Sequence, residues 1–317
     1  MLRRLDSFLV CLLATVGMAS VLPCRGEGVR VFNILAIIMI ANMFFLQGAR
    51  LSRRAVMEGM TGWRIHLAIV LCTFVMFPLL GMGLHAAFPY LLDAPMWTGM
   101  LFLCCLPSTV QSSIAFTSIA RGNVAAAICS ATLSNILGIF ITPLLVGIVF
   151  SRHASASSGG IMPIVGQLLV PFIAGQVLQP WIGDWAHRHK KLLSFSDRGS
   201  ILVVVYTAFS EAVTQGLWHR LPASQLGRVA LADAGLLTLV LGLTLLVGRM
   251  GGFARADRIA IMFCGSKKSL ASGVPIASVL FAPTEVGLIV LPLMIYHQIQ
   301  LFACATLARR FGAEKAD

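Results

Sequence analysis

Residues 258–281, RIAIMFCGSKKSLASGVPIASVLF, are apolar enough to cross a membrane but carry two adjacent lysines, Lys267 and Lys268, near their centre. At a rise of about 1.5 Å per residue, Lys267 lies about 14 Å beyond Arg258 in a hydrocarbon core about 30 Å thick. A central lysine costs about 2.5–3.5 kcal/mol, so each amine must face a partner, a cavity or water. The Gly-Ser pair before the lysines predicts a broken helix, whose unwound carbonyls would hold a charged amine. The alternative is a lysine pair at a helix end.

The rest of the chain is equally apolar. Of its 317 residues 58% are hydrophobic and 11% are charged, with a mean hydropathy of +0.88, whereas a soluble globular chain carries about 25% charged residues. This composition excludes a nucleic-acid-binding domain, a disordered chain and an ordinary cytosolic enzyme, and it predicts a polytopic protein of the lipid bilayer. The eight cysteines form no CxxC pair and no metal-type spacing with histidine, so neither a disulfide framework nor a zinc site is indicated. No cofactor is expected.

Ten stretches are long and apolar enough to span a membrane as helices, which predicts an all-α fold. The first stretch resembles a signal peptide, but we expect it to be retained as a membrane helix. The ten spans lie near residues 6–23, 31–49, 63–88, 96–120, 123–150, 160–183, 199–217, 229–248, 258–281 and 286–308.

The positions of the basic residues predict the orientation. If the amino terminus is cytoplasmic, 17 of the 24 Lys and Arg residues fall on the cytoplasmic side and five on the other. We therefore expect a multi-pass protein of the bacterial inner membrane with both termini in the cytoplasm. The net charge of +12 is then a topology signal, and no nucleic-acid partner is indicated.

The ten spans divide into five and five at the Ser-rich linker 151–159. Residues 1–150 and 160–317 would be two five-helix repeats, and an odd number of spans gives them opposite orientations. The fourth span of each half is the one whose apolar pattern fails. Such inverted repeats are common in secondary transporters.

The break in the first half lies in residues 104–113, CCLPSTVQSS. Pro107 removes a backbone donor, and the hydroxyl and amide side chains after it can bond to the freed backbone groups. A simple proline kink is the alternative, but the matching break in the second half favours a paired binding site near the midplane. The residues expected to form this site are Ser108, Thr109, Gln111, Ser112, Ser113, Ser266, Lys267, Lys268 and Ser269.

Three further polar residues in apolar spans are candidates for the site. Glu211 is a candidate counter-charge for the lysines, or a residue near the membrane interface before Trp218. Asn135 can donate to a substrate or bridge two helices. His297 is a packing residue or, less readily, a proton relay.

A family resemblance is carried by residues 107–123, 134–145, 257–281 with His297, QPWIGDW at 179–185 and VYT at 205–207. These runs resemble the bile acid:sodium symporter superfamily, also called solute carrier family 10. The closest likeness is to its SBF-like branch, which includes the seventh human member. The resemblance implies ten helices in a core domain and a panel domain, with crossing discontinuous helices 4 and 9 (the ASBT-like fold), and alternating access.

The same resemblance implies that the sodium site of this superfamily is degraded here. The Ser-Asn pair of the sodium symporters falls on Ser112 and Ser113, so one ligand is kept and one is changed. Their glutamine on the third helix falls on Thr73. Their second glutamine, four residues after the bridging glutamate, falls on Lys267. The remaining ligands, a Ser, a Thr and a bridging Glu, fall on Ala127, Ala131 and Phe263.

These observations predict a secondary transporter of a small organic, anionic solute, in which a lysine ammonium replaces sodium. Coupling to sodium or to protons, symport or uniport, the substrate and the oligomeric state stay open. The alternatives are a sodium-coupled bile-acid or organic-anion symporter and a non-transporting membrane regulator, for instance of calcium handling. We expect no enzymatic activity. The hydrolase alternatives are a serine with His297, or Ser266 or Ser269 with a lysine. An activated serine needs a base within hydrogen-bond reach, and helical geometry points the neighbours Ser266 and Lys267 apart.

Overall fold

The computed structural model describes residues 7–50, 62–150, 165–216 and 222–313, which over these ranges form helices and no strand. The predicted linker 151–159 lies outside the described residues. The helices are α1 Ser7–Val21, α2 Glu27–Arg50, α3 Trp63–Ala87, α4 Ala94–Cys105, α5 Gln111–Ile119, α6 Val124–Phe150, α7 Val170–Arg188, α8 Lys190–Thr214, α9 Ala223–Met250, α10 Arg255–Gly265, α11 Leu270–Leu280 and α12 Pro283–Ala313. A π-helical turn, Cys72–Met76, lies inside α3, and another, Val165–Leu169, precedes α7.

The all-α class predicted from the sequence is confirmed over the described residues. Helices α2, α3, α6, α9, α12 and the Leu192–Thr214 part of α8 are each long and apolar enough to cross a membrane. Of two shorter apolar helices, Val10–Val21 lies within the first predicted span and Ala94–Cys105 overlaps the fourth. The chain is therefore a multi-pass membrane protein.

Both predicted breaks are present. In the fourth span the chain leaves the helix after Cys105, with an extended Leu106 (φ −78°, ψ 156°), and α5 begins at Gln111. Pro107 lacks the amide proton that would continue the helical bonding, so the chain breaks here and does not merely kink. In the ninth span α10 ends at Gly265 and α11 begins at Leu270.

The chain forms two compact units, and each draws on both halves of the sequence. Unit 1 is Met1–Ser52, Ser157–Pro222 and Val274–Leu288, and unit 2 is Arg53–Ala156, Ala223–Gly273 and Ile289–Asp317. Among the described helices, α1, α2, α7 and α8 belong to unit 1, whereas α3 to α6, α9 and α10 belong to unit 2. The division into repeats at residues 1–150 and 160–317 stays a prediction.

Within unit 1, α2 and α7 approach so closely that side chains are excluded at the contact. A Cβ atom on Gly48 would collide with the backbone of Phe172 and Gln176, and one on Gly175 would collide with the backbone of Phe45. Small residues allow this close packing of membrane helices. Helix α8 is joined to α2 by an ion pair between Arg50 and Asp197, with 2.6 Å between Nη1 and Oδ2.

Candidate functional site

The two helix breaks contact each other inside unit 2, and each satisfies backbone groups that the other leaves free. The Ser269 amide donates to the Pro107 carbonyl at 2.9 Å. In the opposite direction, the Ser108 hydroxyl donates to the Cys264 carbonyl at 2.6 Å. Both serines are buried, and buried backbone groups need such partners. The breaks predicted separately from the sequence therefore form one structural centre.

Helix α6 supplies two further hydroxyls to the first break. The Ser134 hydroxyl accepts a hydrogen bond from the Ser108 amide at 3.1 Å, and the Thr142 hydroxyl donates to the Cys105 carbonyl at 2.9 Å. Both side chains are fully buried. In a membrane interior, side-chain hydroxyls of this kind replace the water that would otherwise solvate an interrupted helix.

The Lys268 amine lies at the contact between the two helix breaks, hereafter called the crossing. Its Nζ atom donates to the carbonyls of Thr73 and Cys104, each at 2.8 Å, and of Leu106 at 2.7 Å. The residue is 0% exposed. Since a lysine ammonium has three protons, each proton has one carbonyl acceptor. Carbonyl oxygens surround a bound metal cation in a similar way, but here the cation is the ammonium group of the Lys268 side chain.

The local backbone explains why these three carbonyls are available. Cys104 and Leu106 lie at the end of α4, where carbonyls lack intrahelical partners and the helix dipole favours a positive charge. Thr73 lies in the π-helical turn of α3, and such turns are frequent at functional sites. The Phe77 ring completes the surroundings, with its centroid 4.0 Å from Lys268 Nζ, within the range of a cation–π interaction.

Helix α12 holds the Lys268 backbone in place through Gln300. The Gln300 side chain accepts from the Lys268 amide and donates to the Lys268 carbonyl, both at 2.9 Å, and its Nε2 also lies 2.8 Å from His297 Nδ1. One turn earlier, the Tyr296 hydroxyl donates to the Ser266 carbonyl at 2.9 Å. The sequence predicts His297 as a site residue but not Tyr296 or Gln300. Their spacing of four residues, which places them on one face of an apolar helix, was the available signal.

Lys267 is as deeply buried as its neighbour but has very different surroundings. It is 0% exposed, and its Nζ atom has no hydrogen-bond partner among the described residues. The amine lies 3.7 Å from the centroid of the Phe116 ring and 5.6 Å from that of Phe263. The face of an aromatic ring attracts a cation, but it does not accept a hydrogen bond as a carbonyl oxygen does. Both lysines follow the end of α10, but their side chains are fully buried.

Three of the predicted hydroxyls, those of Thr109, Ser112 and Ser113, form a cluster at the start of α5. Thr109 Oγ1 lies 2.7 Å from Ser112 Oγ and 3.3 Å from Ser113 Oγ, and the Ser113 hydroxyl donates to the Phe263 carbonyl at 3.2 Å. Gln111, at the first position of α5, is exposed. The crossing thus brings together the hydroxyl groups of this sequence motif but not the Gln111 side chain.

Ser269 and Asn135 belong to a second small network. The Ser269 hydroxyl accepts from the Ser272 amide at 3.1 Å, which caps the beginning of α11. The Ser272 hydroxyl in turn donates to Asn135 Oδ1 at 2.7 Å, which ties α11 to α6. Asn135 therefore bridges two helices, the structural alternative considered for it from the sequence.

The positions that the family resemblance assigns to sodium ligands on α6 contain no oxygen side chain. Ala127 and Ala131 are fully buried in an apolar cluster with Ile69, Ala260 and Cys264. Thr73, at the position of a symporter glutamine, uses its hydroxyl to donate to the Ile69 carbonyl at 2.8 Å. Its contribution to the crossing is its backbone carbonyl.

Among the residues that the structure describes, neither lysine is paired with a carboxylate. Within the described ranges the structure records one ion pair, that of Arg50 with Asp197 in unit 1. Asp233 is fully buried in unit 2 but makes no ion pair with either lysine. Glu211, predicted as a counter-charge, lies in unit 1, where it lines a separate cavity.

The comparisons with known proteins agree in the class of protein. The model of the SBF-like CPA transporter family matches residues 6–313. The chain is 54% identical to "Uncharacterized protein PA2026" of Pseudomonas aeruginosa, over 98% of this chain and 94% of that protein. It is 49% identical to "Putative symporter YfeH" of Escherichia coli (98% and 93% covered), and 28% identical to "Sodium/bile acid cotransporter 7" of Mus musculus (96% and 92% covered).

Proposed function

This chain belongs to the SBF-like CPA transporter family, within the bile acid:sodium symporter superfamily, and we propose that it carries a small organic anion across the membrane as a secondary transporter. In this proposal the ammonium group of Lys268 replaces a sodium ion at the crossing of the broken helices. Two of the relatives are named as a symporter and a cotransporter, and we propose no catalytic activity.

The observation that carries the proposal is the set of three carbonyls around Lys268 Nζ, at 2.7–2.8 Å. A sodium ion, as a hard cation, would take oxygen ligands of this kind, and the lysine satisfies them with a charge that is covalently fixed. Ala127 and Ala131, where the sodium symporters carry hydroxyl ligands, offer no oxygen for a dissociable ion. A permanent charge at the crossing would stabilise the broken helices without sodium.

Lys267 supports the anionic character of the solute. Its amine is buried without an oxygen partner in the described part of the chain, so its charge is not neutralised by the protein. An anionic group that reaches the crossing in another conformation would supply the missing acceptor. Loss of a proton from the same amine would be the alternative means of coupling.

The architecture that we propose for this transport is the ten-helix, inverted-repeat one. Unit 2 contains both breaks and would be the core domain, whereas unit 1 would be the panel domain against which the core moves in alternating access. The repeats would be residues 1–150 and 160–317. The charge distribution supports insertion in the inner membrane with both termini in the cytoplasm.

The experiment that tests the role of Lys268 is a sodium titration of the Lys268→Ala variant. Removing the side chain leaves three carbonyls facing a space that an alkali cation can enter. We expect NaCl, relative to N-methyl-D-glucamine chloride at equal ionic strength, to raise the melting temperature of Lys268→Ala by more than that of the wild type. Lys267→Ala is the matched control, since no carbonyl is freed there, and it should respond like the wild type. An equal sodium response of all three proteins would remove the proposal.

Transport itself is measured in proteoliposomes with radiolabelled probes. Taurocholate, succinate and pyruvate represent a bulky and two small organic anions. We expect uptake of at least one of them, and its loss in Lys267→Ala. The alternative function is a sodium-coupled symporter, which the name of the mouse relative supports. This alternative predicts that the same uptake requires sodium absolutely. Absence of uptake of every organic anion would favour the non-transporting regulator.

A further inference from the structure

Unit 1 contains a cavity of about 220 Å³, with polar side chains on one wall, that the lysine centre does not use. It lies between the beginning of α2 and the last two turns of α8. The α2 side is apolar, with Val29 and Phe32, whereas the α8 side carries the carboxyl group of Glu211 and the hydroxyl groups of Thr207, Ser210 and Thr214.

Two polar atoms at this cavity are buried without a partner. Glu211 Oε2 and Ser210 Oγ each lack a hydrogen-bond partner among the residues that the structure covers, and Ser210 is 2% exposed. An unpaired carboxylate oxygen and an unpaired hydroxyl in a membrane helix are costly. Their placement on the wall of one cavity indicates that a ligand satisfies them.

The neighbouring threonines present oxygen lone pairs to the cavity. The Thr207 hydroxyl donates its proton to the Val203 carbonyl at 2.9 Å, and the Thr214 hydroxyl donates to the Glu211 carbonyl at 2.8 Å. Because these hydroxyl protons are already donated, the two oxygens can only accept a hydrogen bond or bind a cation. The carboxyl-terminal end of α8 adds a partial negative charge. The cavity is therefore suited to a positive ligand.

We propose that this cavity binds a monovalent alkali cation, with the Glu211 carboxylate as its charged ligand and the hydroxyls of Ser210, Thr207 and Thr214 as neutral ones. A single carboxylate balances a single positive charge, and oxygen ligands suit hard cations. At about 30 Å³ per water, the cavity has room for the ion and several waters. This site lies in unit 1, and it does not depend on the role proposed for Lys268.

The test is binding of ²²Na⁺ to the purified full-length protein by a scintillation proximity assay. We expect saturable binding to the wild type and at least a tenfold weaker affinity in Glu211→Gln, which keeps the shape of the side chain but removes its charge. The matched control is Glu285→Gln, because Glu285 is exposed at the start of α12 and lies outside the cavity. This control should bind sodium like the wild type. Ser210→Ala and Thr207→Val should weaken binding several-fold, and they replace Glu211→Gln if that variant does not fold.

Equal binding to the wild type, Ser210→Ala, Thr207→Val and Glu211→Gln would overturn the assignment. So would the absence of binding, or a dependence of stability on pH alone, which would mean that a proton neutralises Glu211. The sodium response of Lys268→Ala, measured in a Glu211→Gln background, reports on the crossing alone. Failure of the cavity site and failure of the lysine proposal are thus separate results.

Discussion

Lys267 and Lys268 are neighbours in sequence, yet their amines have opposite surroundings. Lys268 Nζ donates to three backbone carbonyls at 2.7–2.8 Å, whereas Lys267 Nζ lies 3.7 Å from the Phe116 ring centroid with no oxygen partner among the described residues. The helix break separates them, because the non-helical residues 266–269 direct the two side chains differently. The pair therefore offers a comparison in which residue type and burial are matched and the groups around the two amines differ.

Replacing Lys268 by Met should destabilise the protein far more than replacing Lys267 by Met. The first change leaves three buried carbonyls unpaired, at about 1–3 kcal/mol each, so we expect a loss of about 3 kcal/mol or more. The second removes a buried charge that makes no hydrogen bond, and such replacements are often neutral or stabilising. Melting temperatures of the two variants in detergent test this ranking. Equal losses would mean that the carbonyl contacts contribute little.

The sequence predicts the breaks because they violate an otherwise apolar pattern. Pro107 and the lysine pair are each incompatible with a continuous, lipid-facing helix, so both interruptions could be located without coordinates. Their contact could not be derived in the same way, because it depends on hydrogen bonds between residues 156 positions apart, such as Ser108 and Cys264.

The separate roles of the two lysines were also beyond the sequence. They depend on the direction in which the chain leaves α10, and on a π-helical turn at Thr73 that has no composition signature. Phe116 and Phe77 gave no signal either, since phenylalanine is common in apolar helices. The sequence predicts that buried amines need partners, but only the structure shows which of the two amines has them.

Gln300 should be essential for the shape of the second break. Gln300→Leu removes both hydrogen bonds to the Lys268 backbone and leaves a buried amide and a buried carbonyl unpaired, which should cost about 2–4 kcal/mol. Gln298→Leu, on the same helix, is the control, because Gln298 Oε1 already lacks a partner among the described residues. Its melting temperature should stay near that of the wild type. A larger loss for Gln298→Leu would contradict this assignment.

Gly99 should tolerate no side chain. A Cβ atom at this position of α4 would collide with the Ile289 carbonyl and with the ring of Pro292 on α12, and overpacking of this kind costs about 1–3 kcal/mol. Gly83→Ala is the matched control, since its Cβ would meet nothing within 4 Å. Removing a helical glycine there should raise stability by about 0.5–1 kcal/mol. Thermal unfolding of both variants tests whether their stability changes in opposite directions. A stabilised Gly99→Ala would show that α4 and α12 are not in this contact.

The proposed orientation predicts which joints react with a membrane-impermeant maleimide on intact cells. With a cytoplasmic amino terminus, the joint between α3 and α4 faces the periplasm and the joint between α9 and α10 faces the cytoplasm. Tyr90 and Met250 mark these joints and are 93% and 80% exposed. In a Cys11→Ser, Cys24→Ser background, we expect Tyr90→Cys to be labelled on intact cells and Met250→Cys only after permeabilisation. Each variant controls for the other, because both positions are accessible in the folded protein. The reversed labelling pattern would invert the topology, and labelling of both on intact cells would mean that a span between them has been misassigned.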